Sequence, residues 1–143
     1  MWAHRYNRTA DFIVIEGPKA GGHLGFSRDQ LENLETLDYD HESGNHACKA
    51  PYEEKYGTKI PVIVAGGIFD RADIDHMTEL GADGVQIASR FVATEECDAS
   101  DAYKNAYINA KKKDIQIIQS PVGMPGRALR NEFIKELEIA RKP

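Results

Sequence analysis

Apolar residues along this chain gather into short continuous runs, and each run is followed by a turn and then by apolar residues at helical spacing. Phe12-Ile13-Val14-Ile15 is the first run, Val62-Ile63-Val64-Ala65 the second and Gly84-Val85-Gln86-Ile87 the third. Runs of this length predict strands buried on both faces, as in parallel sheets. After the first, Ser27-Arg28-Asp29-Gln30 reads as a capping box, with Leu31, Leu34 and Leu37 marking one face of a short helix. After the second, Asp70 caps a helix whose face is Ile74, Met77 and Leu80, with Gly81 as its stop. After the third, Ser100 caps a helix carrying Tyr103, Ala106, Tyr107 and Ala110.

The stretches between are weaker signals. Met1 to Arg8 reads as the last turns of a helix, with Trp2 and Tyr6 on one face. Asp38 to Ala50 is polar and reads as loop, and Tyr52 to Tyr56 as a helical turn stopped by Gly57. Ile115-Gln116-Ile117-Ile118 is a brief extended segment. A Pro/Gly loop from Ser120 to Gly126 then leads into a final amphipathic helix with Leu129, Phe133 and Leu137 inward. Strand, loop and helix therefore recur three times, which predicts an α/β fold with a parallel sheet. In such folds chemistry collects at the C-terminal ends of the strands.

Composition narrows the class of partner. At 143 residues the chain suits one domain, 1–143, and its 41% hydrophobic and 29% charged residues are those of a globular protein. A net charge of −5 argues against nucleic acid or an anionic membrane as partner. No apolar run approaches the ~20 residues that span a bilayer. The N-terminus lacks the apolar core of a secretion signal, and Cys48 and Cys97 have no motif spacing, so the cytoplasm is the expected location.

Three strand-end loops carry the candidate chemistry. Gly66-Gly67 follows the second strand and precedes a helix, where free N–H groups and a partial positive charge favour an anion. Ala88-Ser89 follows the third strand and offers a hydroxyl and two amides. Two adjacent strand ends of this kind suit a phosphate; the plainer alternative is a pair of tight turns. The loop Gly17-Pro18-Lys19-Ala20-Gly21-Gly22-His23-Leu24-Gly25 has four glycines in nine residues and can lie flat beneath a planar ligand. His23 is then either a general base working near neutral pH or a solvent-facing turn residue without a task.

The stretches IEGPKAGGHLG, PVIVAGGI, GADGVQIASRFVATEE and SPVGMPGRALRN, in that order, together resemble the nitronate monooxygenase family, formerly called 2-nitropropane dioxygenases. Its members are FMN-dependent (β/α)8 barrels related to the flavin-dependent enoyl-acyl-carrier-protein reductases. The resemblance implies that His23 is the catalytic base that takes the proton alpha to the nitro group. It implies FMN contacts at Glu16, Gly21, Gly22, Gly66, Gly67, Gln86, Ile87, Ala88 and Ser89, with the phosphate between the two strand tips. The family commonly has Gly-Thr where this chain has Ala88-Ser89; serine keeps the hydroxyl donor, while the alanine methyl crowds the backbone. The implied reaction converts nitronates or nitroalkanes, with oxygen, to carbonyl compounds and nitrite. Enoyl-thioester reduction is the alternative on the same scaffold, and a non-catalytic phosphate-binding or assembly module is the alternative from another class.

A whole barrel needs ~250 residues. The three strands match the sixth, seventh and eighth, so the expectation is a partial TIM barrel, with a C-terminal loop and helix at 120–143. Such a chain would turn over little alone and would hide its open sheet edges by self-association. His41, His46 and Cys48 match no zinc spacing and read as polar loop, so no metal site is expected. His4 and His76 read as surface residues, Tyr103 and Tyr107 as packing, and Cys97 has nothing nearby that marks an activated thiolate.

Overall fold

The computed structural model describes residues 8–34, 44, 49–50 and 53–140. The expectations for 1–7, for Leu37 and for His41, His46 and Cys48 lie outside the described residues. The chain divides into two compact units, one of Met1–Lys19 with Asp38–Ile87 and the other of Ala20–Leu37 with Ala88–Pro143.

The first unit holds the parallel sheet. Its strands are β1 (Ile13–Glu16), β3 (Val62–Ala65) and β4 (Gly84–Gln86), in the order β1-β3-β4. Register sets Glu16 beside Ala65 and Ala65 beside Gln86, so the three C-terminal ends stand level. β3 is the central strand and the most buried, with Val62 and Val64 wholly enclosed. β1 departs from the expectation of burial on both faces: Ile13 and Ile15 are half-buried while Val14 and Glu16 are exposed. A continuous apolar run shows that both faces tolerate apolar side chains, and here only one is packed. β4 ends at Gln86, and Ile87 leaves the ladder to pack on the core.

Helix α2 (Arg71–Glu79) covers this sheet in the way its spacing predicts. Met77 is buried with Val64, Ile68 and Ala82, and Ile74, Leu80, Val85 and Ile87 pack around them. Asp70 and Asp73 form a reciprocal capping box at its start. Gly81 ends it at φ 88°, a left-handed angle that glycine adopts without steric cost. Asp83 braces the entry to β4: its carboxylate accepts from the Val62 amide at 2.9 Å and from Lys49 Nζ at 2.6 Å, with Lys59 Nζ at 3.3 Å. Residues 53–56 are helical, and Gly57 closes that turn by donating to the Glu53 carbonyl. Of the stretch read as loop from Asp38, the described Gly44, Lys49 and Ala50 have helical backbone instead.

The second unit contains an antiparallel sheet that the hydrophobic pattern did not announce. Its strands β2 (Gly22–His23), β5 (Ile115–Gln119) and β6 (Pro125–Leu129) run in the order β2-β6-β5. β6 corrects the expected loop from Ser120 to Gly126: β5 turns back through 120–124, with Ser120 N donating to Met124 O at 2.8 Å, and the ladder resumes at Pro125. Leu129 consequently belongs to a strand. The final helix, α5 (Glu132–Ala140), starts later, where the Asn131 side chain accepts from the Ile134 amide. That start rotates Ile134 inward and leaves Phe133, expected inside, 60% exposed.

Three further helices complete this unit. α1 (Arg28–Glu32) has the expected capping box at Ser27 and buries Leu31 with Ala20 and Leu24. It ends at Asn33, whose side chain turns back to the Asp29 carbonyl, so Leu34 lies beyond the helix and exposed. α3 (Ser89–Val92) is one turn long. α4 (Asp101–Asn109) is capped by Ser100, and the rings of Tyr103 and Tyr107 pack at 5.2 Å with their hydroxyls 3.1 Å apart.

Candidate functional site

In the first unit the site residues stand along one row. Glu16 ends β1 and Gln86 ends β4, both exposed, with buried Ala65 registered between them. Side chains at one level of a parallel sheet share a face, so the carboxylate and the carboxamide stand on the same face, separated by one strand. The ladder closes with Gly17 donating to the Ala65 carbonyl at 3.0 Å. Gly66 and Gly67 then depart with φ of 96° and 80°. No described acceptor takes the amide N–H of either glycine. A Cβ on Gly67 would stand 3.0 Å from the Cβ and Cδ of Lys19, so the loop after β1 lies across this tip.

The helix that follows the glycines is capped by acids. α2 begins four residues beyond Gly67, and the Asp73 amide donates to Asp70 Oδ1 at 3.1 Å. Asp73 Oδ2 in turn accepts from the Phe69 and Asp70 amides at 2.8 and 3.2 Å, and these bonds hold its pKa below the ordinary carboxylate range. Two carboxylates thus stand at the start of the helix, where they cap the Asp73 amide and offset the positive end.

In the second unit Ala88 precedes α3 without a side-chain cap, so the exposed Ser89 hydroxyl is not spent on its own helix. Gly21 and Gly22 are exposed, and a Cβ on either would meet nothing within 4 Å, so there is open room at their backbone. Gly22 has φ 72° and pairs with Arg127, whose guanidinium donates to the Ala20 carbonyl and is partly desolvated. In the first unit the Gly66 and Gly67 amides, with no described acceptor, suit a phosphate; in the second the open backbone of Gly21 and Gly22 leaves room for a flat group.

His23 is not a turn residue. It sits in β2, registered against Gly126, and its Nε2 lies 2.8 Å from the hydroxyl of Ser120. Ser120 is 6% exposed and its Oγ also accepts from the Val122 amide at 3.3 Å. His23 is itself exposed, and its ring is hydrogen-bonded to a buried, backbone-anchored hydroxyl. Ser120 carries no motif signal of its own; it becomes visible only when the hairpin brings it to His23. Among the described residues no group of three or more His, Cys, Asp or Glu is placed to hold a metal, and no helix is long and apolar enough to cross a membrane. Cys97 is half-buried and free.

Parallel strands alternating with helices are part of a (β/α)8 barrel. Residues 3–143 match the sequence profile described as nitronate monooxygenase, and the chain belongs to that family. A probable nitronate monooxygenase of Staphylococcus saprophyticus is 32% identical over 127 residues, 89% of this chain and 34% of the relative. The Staphylococcus aureus (strain Newman) protein of the same description is 32% identical over 130 residues. Among solved structures, FabK from Thermotoga maritima matches 96% of this chain and 39% of its own, with TM-score 0.68 and 30% identity. Nitroalkane oxidase from Streptomyces ansochromogenes matches 89% of this chain and 35% of its own, with TM-score 0.60 and 30% identity. The chain therefore spans about a third of the length of the curated relatives it matches.

Proposed function

We propose that the protein, completed to the barrel of its relatives, is an FMN-dependent oxidoreductase. It would oxidise alkyl nitronates or nitroalkanes, with oxygen, to carbonyl compounds and nitrite. The observation that carries this reading is the seat of His23, held through Nε2 by buried Ser120 within a nitronate monooxygenase family chain. The four residues assigned to the cofactor phosphate are Gly66, Gly67, Ala88 and Ser89, and the remaining contacts are Glu16, Gly21, Gly22, Gln86 and Ile87. FMN, when bound, supplies the two-electron chemistry. The protein's own contribution is to bind and orient, and to move one proton.

That proton goes to His23. When Nε2–H donates to Ser120 Oγ, Nδ1 is the basic nitrogen and accepts the proton alpha to the nitro group. The Ser120 hydroxyl has two acceptor sites, so it takes both the imidazole and the Val122 N–H without conflict. The cytoplasm, self-association through the open edges of the parallel sheet, and weak turnover by residues 1–143 alone belong to the same reading.

The test is chemical. Protein purified with FMN should be yellow and release flavin on denaturation, and it should form nitrite from a nitroalkane. NADH-dependent loss of a crotonyl thioester without nitrite would replace the reaction with enoyl reduction. Colourless protein that binds phosphate would leave a non-catalytic module.

A further inference from the structure

We propose that Lys19 is an anion-binding residue at the tip of β3, where with the Gly66 and Gly67 amides it holds the phosphate of the flavin. The identity of the ligand rests on the reading given under Proposed function; the anion site itself rests on the first unit alone.

The stem of Lys19 runs over Gly67. A Cβ there would stand 3.0 Å from Lys19 Cβ, 3.0 Å from Cδ and 3.6 Å from Cγ. Only two bonds separate Cδ from the ammonium nitrogen, so the charge is carried close to the glycine backbone. Lys19 is exposed, and among the described residues its ammonium forms no ion pair. Its charge is felt at Asp73, whose Oδ2 is already engaged by the amides of Phe69 and Asp70.

Among the described residues the donors at this tip are unspent. The amides of Gly66 and Gly67 find no described acceptor. At the start of the following helix the Asp70 and Asp73 carboxylates offset the positive end. Lys19 is the side chain laid across the tip, and it adds a positive charge there. Two backbone N–H groups and an ammonium suit a phosphate monoester: amides donate hydrogen bonds to its oxygens, while the lysine offsets its charge.

The experiment is a titration of the 15N-labelled chain, read by NMR, with FMN, riboflavin and inorganic phosphate. FMN and phosphate should both move the Gly66 and Gly67 amide signals. Lys19→Met should weaken FMN binding by about three- to tenfold, as the loss of one charge-assisted contact does. Riboflavin binding should stay unchanged, and Lys19→Arg should keep most of the FMN affinity. Added salt should shrink the gap between wild type and Lys19→Met. Equal FMN binding by wild type and Lys19→Met would overturn the proposal. So would an equal loss of FMN and riboflavin binding, which marks a loop that merely needs the lysine stem. If phosphate binds through Lys19 while both flavins fail, the flavin reading falls and the anion site stands. If neither phosphate nor FMN moves the glycine signals, the anion site falls.

Discussion

The imidazole Nε2 of His23 and the hydroxyl of Ser120 meet at 2.8 Å across 97 residues of sequence. β2 pairs with β6, β6 pairs with β5, and Ser120 follows the last residue of β5, so the sheet itself delivers the contact. Ser120→Ala should free the ring while leaving the fold in place. Loss of a buried hydrogen-bonding group costs about 1 kcal/mol of stability. The decisive readout is the 15N spectrum of the ring: a single Nε2–H tautomer in the wild-type protein, and a mixture in the variant. An unchanged tautomer would show that Ser120 does not set it.

Gly67 meets two constraints at once, and they can be separated. Its φ is 80° and its missing Cβ leaves room for the Lys19 stem. Gly81 has φ 88° and nothing within 4 Å of an added Cβ. Gly81→Ala should therefore cost about 1 kcal/mol, the backbone penalty alone. Gly67→Ala should cost more, and Lys19→Ala in the same chain should remove part of the excess, because the Cβ of residue 19 still stands 3.0 Å from the added one. Urea unfolding of the three variants measures this.

Asp83 ties acid stability to one carboxylate. Hydrogen bonds from Lys49 and the Val62 amide hold its pKa at about 2, against an ordinary value of 3.8. A depressed carboxylate contributes stability that is present above the ordinary value and lost as pH falls through the folded one. Asp83→Asn should destabilise the protein at pH 7 by about 1 kcal/mol, after allowance for solvent screening of a partly exposed group. The difference from wild type should close between pH 4 and 2. A gap that persists at the acid end would assign the effect to packing.

The last helix depends on its cap. Asn131 Oδ1 accepts from the Ile134 amide at 2.9 Å, and Ile134 is the buried residue of that helix. Asn131→Ala should lower stability by about 1 kcal/mol, and Asn131→Asp should restore most of it. Thermal unfolding followed by far-UV circular dichroism gives both numbers.

What the sequence made legible is local. The caps at Ser27, Asp70 and Ser100, the stops at Gly57 and Gly81, and the three parallel strands are written in neighbouring residues, and the structure contains them. The antiparallel sheet was illegible for a physical reason. β2 is Gly22-His23 and has no apolar pattern, while β6 opens with Pro125-Gly126, residues that signal a turn. Both are strands because they pair with each other and with β5, and no local rule encodes that pairing. The same holds at the site: His23 was visible in its glycine loop, whereas Ser120 became visible only through the hairpin. Asp70 is legible as a helix cap, whereas the reciprocal part of Asp73 appears only with the hydrogen bonds in place.

The central claim is that His23 is the base of a flavin-dependent oxidation. The direct measurement is nitrite release from a nitroalkane by FMN-loaded protein, wild type against His23→Ala, at flavin occupancy matched by absorbance. The account predicts a fall of at least about a hundredfold in the variant, as expected for loss of a general base, with flavin still bound. An undiminished rate in His23→Ala at equal flavin content would contradict it.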